Sequence, residues 1–339
     1  MEDKKLQRLK EVLSVPTHSR REHLMIKYLE GVLTEKDYDY TVDELGNIYV
    51  TKGEAEYFPC FVAHTDTVHR INMNLKVVQL QEEGKTILTG IDSETMRPSG
   101  IGGDDKCGVF LCLEMLDTLD NVKVALFVSE EIGCVGSRQA DPEFFSNVGY
   151  AIQYDSPMGD SMSLTLMGKK LFNEESDFGQ KVSGQILEHG VTSWERHPYT
   201  DIWPLMEKFG FSCLNLAAGY HRYHTDNEYV VVEEVQNAFN LGLKLHELLG
   251  ENFYEREEPK KEKPSYSNWY SRDDRSLIVE EEEEDFWEDV EFEDDDDEFK
   301  DEFDYDEFNG GYTIQRYGTE QQNYGDRDLG YGWVDSFDW

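Results

Sequence analysis

Apolar residues follow two rhythms through the first 250 positions. Leu6, Leu9 and Leu13 repeat at helical spacing, and Leu24, Tyr28, Leu29 and Val32 repeat it after a cap-like Thr17-His18-Ser19. The rhythm then shortens. Residues 47–51 and the apolar run 58–63 read as strands, the second stopping at His64-Thr65-Asp66. Residues 76–80 and 86–89 read as a hairpin around Glu83-Gly84. A helix over 106–119 follows a Gly-Gly turn, and 122–129 is a buried-type strand that ends in acidic residues. Residues 150–154 form a short strand ending in Asp155, 212–216 another, and 232–249 a closing amphipathic helix. Strands alternating with helices predict an α/β sheet with helices on its faces. In such sheets ligands collect beyond the carboxyl ends of strands. The polar residues of this chain gather at those ends.

Charge divides the 339 residues unevenly. The chain has 32 basic and 72 acidic residues, a net −40, and residues 251–339 hold 9 and 32 of them, a balance of −23. Two regions are therefore expected: a domain over 1–250 and an acidic, aromatic-rich, disordered tail over 251–339. Repulsion in such a tail is not offset by burial. The region reads either as a solvating tail or, through Phe286, Trp287, Phe292, Phe299, Phe303 and Trp339, as an interaction tail that docks on a protein partner. A surface this acidic repels phosphate and excludes nucleic-acid binding through a basic patch. No run of 18 apolar residues spans a membrane, and the opening Met-Glu-Asp-Lys-Lys lacks the apolar stretch of a signal peptide. The five cysteines (60, 107, 112, 134 and 213) include no Cys-x-x-Cys pair, which fits reduced thiols and a cytoplasmic location.

The candidate chemistry lies in five stretches: His64-Thr-Asp66, Asp104-Asp105-Lys106, Glu130-Glu131, Asp155, and His224-Thr-Asp-Asn-Glu228. Each alone is weak in a chain so rich in Asp and Glu. Together they place several carboxylates at one sheet edge, where burying them unpaired costs several kcal/mol each. A divalent cation resolves that conflict. Two resolve it better, because one carboxylate can bridge ions about 3.5–4 Å apart.

The ordered set His-x-Asp, Gly-Gly-Asp-Asp-Lys-x-Gly, Glu-Glu-x-Gly-x-x-Gly, a strand-end Asp and a late His-Thr-x-Asn-Glu resembles the co-catalytic zinc peptidases of the M20, M28 and M42 families, including peptidase T-like aminopeptidases. Asp43-Glu-Leu-Gly-Asn47, Tyr199-Thr-Asp201 and the segment from Gly210 to Tyr220 share the likeness, which covers roughly residues 5–249. The resemblance implies a mixed, mostly parallel sheet and hydrolysis of a peptide bond, most simply by aminopeptidase action on short peptides. It implies two divalent ions, zinc by default and manganese or cobalt as alternatives. His64, Asp104 and Asp155 would hold one ion, and Asp104, Glu131 and His224 the other, with Asp104 bridging and a cis peptide following it. Asp66 would orient the His64 imidazole, and Glu130 would be the general base. Both glutamates need access to the ions, so the pair should lie past the strand, in a turn marked by Gly133 and Gly136.

Other residues carry less. His221 is the one rival for the last ligand; His69, His189 and His197 read as loop or surface residues, with a place lining the cleft as the alternative for His69. Cys107 and Cys134 read as packing. Asp201 fits either the site or a structural turn, and Tyr220 or Tyr223 could assist an oxyanion. Only 69 residues separate Asp155 from His224 (224 − 155). That leaves space for a helix or two and a strand, without the lid or dimerisation domain that M20 enzymes insert there. Two further functions stay open: an amidohydrolase or deacylase on a non-peptide N-acyl substrate, and a binding protein acting through its acidic tail. An oligomer is compatible with either.

Overall fold

The computed structural model describes residues 1–257, apart from 167–168 and 198–199. The expectations for residues 258–339 lie outside the described residues. Helices α1 (Asp3–Ser14) and α2 (His23–Glu35) lead into strands β1 (Asp39–Val42), β2 (Ile48–Lys52) and β3 (Phe58–His64). The hairpin β4 (Leu75–Glu82) and β5 (Lys85–Asp92) comes next, then α3 (Gly103–Thr118) and β6 (Val122–Phe127). Two single-turn helices, α4 (Val135–Arg138) and α5 (Pro142–Phe145), precede β7 (Val148–Ser156). After β8 (Ser161–Leu166), β9 (Lys169–Lys170), α6 (Asp177–Glu188), β10 (Ser193–His197) and α7 (Ile202–Phe209) comes β11 (Ser212–Ala217). The small strands β12 (Tyr220–His221) and β13 (Tyr229–Val231) and the long α8 (Val232–Leu249) follow.

The central sheet runs β1-β2-β6-β3-β7-β11-β8-β10, with β9 attached to β8. Its middle is parallel: β6, β3, β7 and β11 all point the same way. Strands β1 and β2 at one side pair antiparallel, as does β8 on β11. This is the mixed, mostly parallel α/β sheet expected. Parallel strands are covered on both faces and so read as unbroken apolar runs; every residue of β3, β6 and β7 is buried. Alternation sorts them. Phe61, Ala63, Val124 and Leu126 join the core under α1, α2, α3 and α8, while Cys60, Val62, Ala125 and Phe127 join the core with Phe145, Trp203 and Met206 of α5 and α7. Helix α3 is buried all round, Gly103 to Leu116. Its one deep carboxylate outside the motif, Glu114, is met by Arg8 at 2.6 Å and Lys5 at 2.9 Å, both from α1.

A second sheet, β12-β13-β5-β4, is antiparallel throughout. It contains the expected hairpin and adds the two short strands that flank the His224 loop. Between Asp155 and His224 the chain forms two helices, as expected, but five strands in place of one. Strands β8 and β10 extend the central sheet, so the segment builds no separate domain among the described residues. Of the five, β11 is the expected strand; β8, β9, β10 and β12 are polar or only two residues long and lack the apolar run that marks a central strand, which is why the sequence conceals them. His197, expected in a loop or at the surface, is the last residue of β10. Packing also runs past residue 250. Tyr254 is buried, its amide donates to Gly149 O at 2.9 Å and its hydroxyl to Leu249 O at 3.0 Å. Replacing Tyr254 by Ala should destabilise the chain by about 3–5 kcal/mol, the usual cost of deleting a buried aromatic ring. Chemical denaturation of the full-length variant measures this, and an unchanged midpoint would mean that the segment is dispensable.

Candidate metal centre

Three adjacent parallel strands deliver their ends to one place. His64 is the last residue of β3 and pairs with Phe127, the last of β6. Glu130 and Glu131 follow β6 in a turn, and Asp155 is the penultimate residue of β7. Gly133 belongs to that turn, whereas Gly136 lies one step on, inside α4. Asp104 arrives from the other direction, at the start of α3, which packs against β3. The peptide between Asp104 and Asp105 is cis, as expected. Glycine is required on the approach: Gly102 has φ +67°, and a Cβ on Gly103 would stand 2.7 Å from Tyr220 Cβ.

The five expected ligands converge. His64 Nε2 lies 3.1 Å from Asp104 Oδ1 and 3.6 Å from Asp155 Oδ1. His224 Nε2 lies 3.2 Å from Asp104 Oδ2 and 3.0 Å from Glu131 Oε2. Asp104 thus turns one oxygen toward each imidazole. Within the groups His64–Asp104–Asp155 and Asp104–Glu131–His224, the donor atoms lie within 4.8 Å of one another. Nitrogen and carboxylate oxygen in this proportion suit a borderline divalent ion. Glu130 stands beside them, its Oε2 3.9 Å from His64 Nε2.

Each group is held by a partner from another part of the chain. Asp66 Oδ1 accepts from Glu130 N at 2.9 Å, and its Oδ2 accepts from Glu131 N at 3.3 Å and Ser19 Oγ at 2.7 Å. The carboxylate therefore fixes the glutamate turn. His64 Nδ1 faces the Asp66 carbonyl at 3.1 Å and Asp66 Oδ1 at 3.4 Å, so Asp66 also orients the imidazole. The Asp43–Asn47 motif proves to be scaffolding for the same turn. Asn47 Oδ1 accepts from Val128 N at 3.1 Å, and Asn47 Nδ2 donates to Gly136 O at 3.3 Å. Ser129 (φ +56°), Cys134 (φ +55°) and His224 (φ +61°) adopt left-handed backbone, which non-glycine residues hold only where the surroundings enforce it.

Glu228 had no assigned role in the sequence, yet it is fully buried and positions Asp104. Its Oε2 accepts from Gly102 N at 2.7 Å and its Oε1 from Asp104 N at 3.1 Å, while His69 Nε2 approaches Oε2 at 2.7 Å. On β11, Asn215 grips the backbone of Asp155, with Oδ1 accepting from Asp155 N at 2.9 Å and Nδ2 donating to Asp155 O at 3.0 Å. Its place in the Leu-Asn-Leu segment was the available signal. The rival histidine drops out: His221 Nε2 lies 2.6 Å from Glu234 Oε2. Cys107 packs in the core, but Cys134 does more than fill space, since its Sγ contacts Glu130 Oε1 at 3.5 Å. Lys106 spends its charge inside the fold, donating to Leu13 O and Ile101 O at 3.1 and 3.0 Å. Tyr220 is buried and its hydroxyl donates to Asp155 Oδ1 at 3.4 Å.

Electrostatics record the crowding. Burial above all, with the neighbouring charges of Asp155, Asp201 and Glu131, pushes Glu130 well above the ordinary carboxylate range. Burial, reinforced by Asp104, raises Asp155 to about 8. Burial opposes a charged His64, but its hydrogen bonds to Asp104, Asp155 and Asp66 outweigh that and raise it. Hydrogen bonds to Asp104 and Glu131 raise His224 to about 10. Burial alone would raise Asp104 as well, yet its bonds to the two histidines hold it low.

No protein-family model matches the chain, and no curated protein matches it. Solved structures do. The aminopeptidase PepT of Bacillus cereus ATCC 10987 superposes with a TM-score of 0.57 at 14% identity, over 71% of this chain and 96% of that one. A tripeptidase of Staphylococcus aureus subsp. aureus Mu50 gives 0.58 at 13%, over 71% and 96%. The TET aminopeptidase of a marine-sediment Thaumarchaeota archaeon gives 0.53 at 13%, over 72% and 96%. The chain has the fold of these aminopeptidases. Among the described residues no helix is long and apolar enough to cross a membrane.

The raised carboxyl pKa values set the sign of a pH effect in metal-free protein. Asp155 at about 8 and Asp201 at about 7 keep protons in the folded state that the unfolded chain has already released. Their contribution is complete below the unfolded value and is lost as pH rises through the folded one. His64 and His224 act in the same sense, since theirs are raised too. The melting temperature in chelator should therefore fall from about pH 5 to about pH 8. Thermal unfolding across that range checks it, and a rising midpoint would contradict the crowding.

Proposed function

We propose that this chain is a metal-dependent aminopeptidase of short peptides, with residues 1–250 as its catalytic domain. The observation that carries the reading is the division of Asp104, one oxygen on the His64 side at 3.1 Å and the other on the His224 side at 3.2 Å. A carboxylate set between two like clusters of imidazole and carboxylate is the arrangement that two bridged divalent ions require. His64, Asp104 and Asp155 would hold one ion, and Asp104, Glu131 and His224 would hold the other. Zinc suits the donors, and manganese or cobalt can replace it. When bound, such ions polarise the scissile carbonyl and lower the pKa of a water toward about 7.

The protein's own groups do the rest. Glu130, buried and raised in pKa, takes a proton from the attacking water and returns it to the departing amine. Cys134 and the Asp66-held turn keep its carboxylate in place. Asp66 holds the ring of His64 so that Nε2 faces the centre. The peptide-cleaving neighbours favour a peptide over a non-peptide amide as substrate.

Purified chain supplied with zinc or manganese should release amino-terminal residues from di- and tripeptides and lose that activity to a chelator. Glu130→Gln should lower kcat by about 10²–10⁴-fold, the usual contribution of a general base, with the metal content unchanged. Full activity in that variant would overturn the mechanism. Preference for N-acyl amino acids over peptides in the same assay would replace the substrate class.

A further inference from the structure

Residues 200–202, where α7 begins, bond to the strand end that carries Asp155 and to the helix behind the glutamate turn, and the proposed reaction leaves them without a role. Thr200 and Asp201 are both fully buried, as are Gln153 and Ser137. Thr200 Oγ1 and Ile202 N both donate to Gln153 Oε1, at 2.7 and 3.0 Å. The other end of that amide, Gln153 Nε2, donates to Asp155 Oδ2 at 3.1 Å. Asp201, between the two donors, accepts from Ser137 Oγ at 2.5 Å. Ser137 sits in α4, directly after the turn that presents Glu130 and Glu131.

We infer that residues 200–202 form a cross-brace between two strand ends, with Gln153 as the arm that aims Asp155 and Asp201 as the arm that anchors the Glu130–Glu131 turn. Three features make the arrangement specific. First, Gln153 uses both ends of its amide, so its orientation is fixed: an oxygen fed by two donors leaves the nitrogen to face Asp155. Second, Asp155 keeps Oδ1 for His64 only because Oδ2 is occupied by Gln153. Third, Asp201 keeps a buried Oδ2 with no hydrogen-bond partner among the described residues. A carboxyl placed only to satisfy a turn would not need that burial. A charged Asp201 adds to the upward push on both Glu130 and Asp155.

Gln153, Thr200 and Asp201 are thus positioning residues, acting on substrate only through Asp155 and the glutamate turn. The inference rests on the metal reading above. Partners behind a ligand typically change metal affinity by about 10–100-fold when removed. In full-length protein, Gln153→Leu should weaken binding of the first zinc ion by that factor in competition dialysis and lower kcat with little change in KM. Thr200→Val, which keeps the shape and removes one donor, should do the same to a smaller degree. Asp201→Ala should lower kcat, and Asp201→Asn, which still accepts from Ser137, should restore it. Should Gln153→Leu fail to fold, Thr200→Val and the Asp201 pair decide the matter. Variants with the parent's circular dichroism, both zinc affinities and kcat would overturn the brace while leaving the peptidase proposal intact. Absence of zinc binding in the parent chain would overturn both.

Discussion

Carboxylates crowd one end of the central sheet, and the repulsion among them is the constraint around which the fold is arranged. Asp66, Asp104, Asp105, Glu130, Asp155 and Asp201 are all buried, with Glu131 close behind. The cations that face them are two imidazoles. In a medium of low effective dielectric, uncompensated charges of this density cost several kcal/mol each. The chain answers with directed hydrogen bonds wherever it can. Main-chain amides of Glu130 and Glu131 serve Asp66, those of Gly102 and Asp104 serve Glu228, and that of Gly108 serves Asp105 at 3.0 Å. These donors come from turns and helix starts, where backbone N–H groups have no partner of their own. Asp104, Glu131 and Asp155 receive few such bonds. They remain the groups for which outside positive charge matters most.

That division explains why the site needs elements so far apart in sequence. A parallel sheet brings His64, Glu130, Glu131 and Asp155 to a common edge because β6, β3 and β7 are neighbours pointing one way. No strand of that sheet could also supply Asp104 and His224, since the positions beside β3 are already taken. Asp104 comes on α3, and His224 comes on the loop between β12 and β13. The small sheet, with β13 against β5, fixes that loop, and Glu228 at its far end returns to grip the start of α3.

The long elements and the convergence of the candidate residues were legible in the sequence. Strand 58–63, strand 122–129 and helix 232–249 are strongly patterned, and the positions of His64, Glu130 and Asp155 follow from where their strands stop. The cis bond after Asp104 came from the resemblance, since no pattern of side chains encodes it. What stayed hidden was of two kinds. Strands β8, β10, β12 and β13 are short or alternate weakly, so tertiary pairing decides them more than local preference. The partners behind the ligands were hidden for another reason. Gln153 reads as a polar interruption in an apolar strand, and Thr200 as part of an ordinary turn. Glu228 stood inside a recognised motif, but nothing local to it reveals that its two oxygens serve the amides of Gly102 and Asp104. Such roles depend on contacts more than 40 residues distant, beyond what spacing can express.

The two halves of the centre differ in exposure, and this asymmetry has a direction. The His64 side chain is 1% exposed and lies among strand ends, whereas that of His224 is 42% exposed on its loop. Asp104 spans the boundary. Solvent, and under the proposed function a peptide, therefore meets the centre from the side of the β12–β13 loop, while the His64 side is closed by the sheet. Glu130 lies on the closed side, its amide tied to Asp66 and its Oε1 to Cys134. Under the proposed function a proton acceptor placed there is kept from bulk water while its Oε2 stays 3.9 Å from His64 Nε2. Under the proposed function the buried half fixes the chemistry and the open half admits the reactant. Both depend on one carboxylate being held to face two ways.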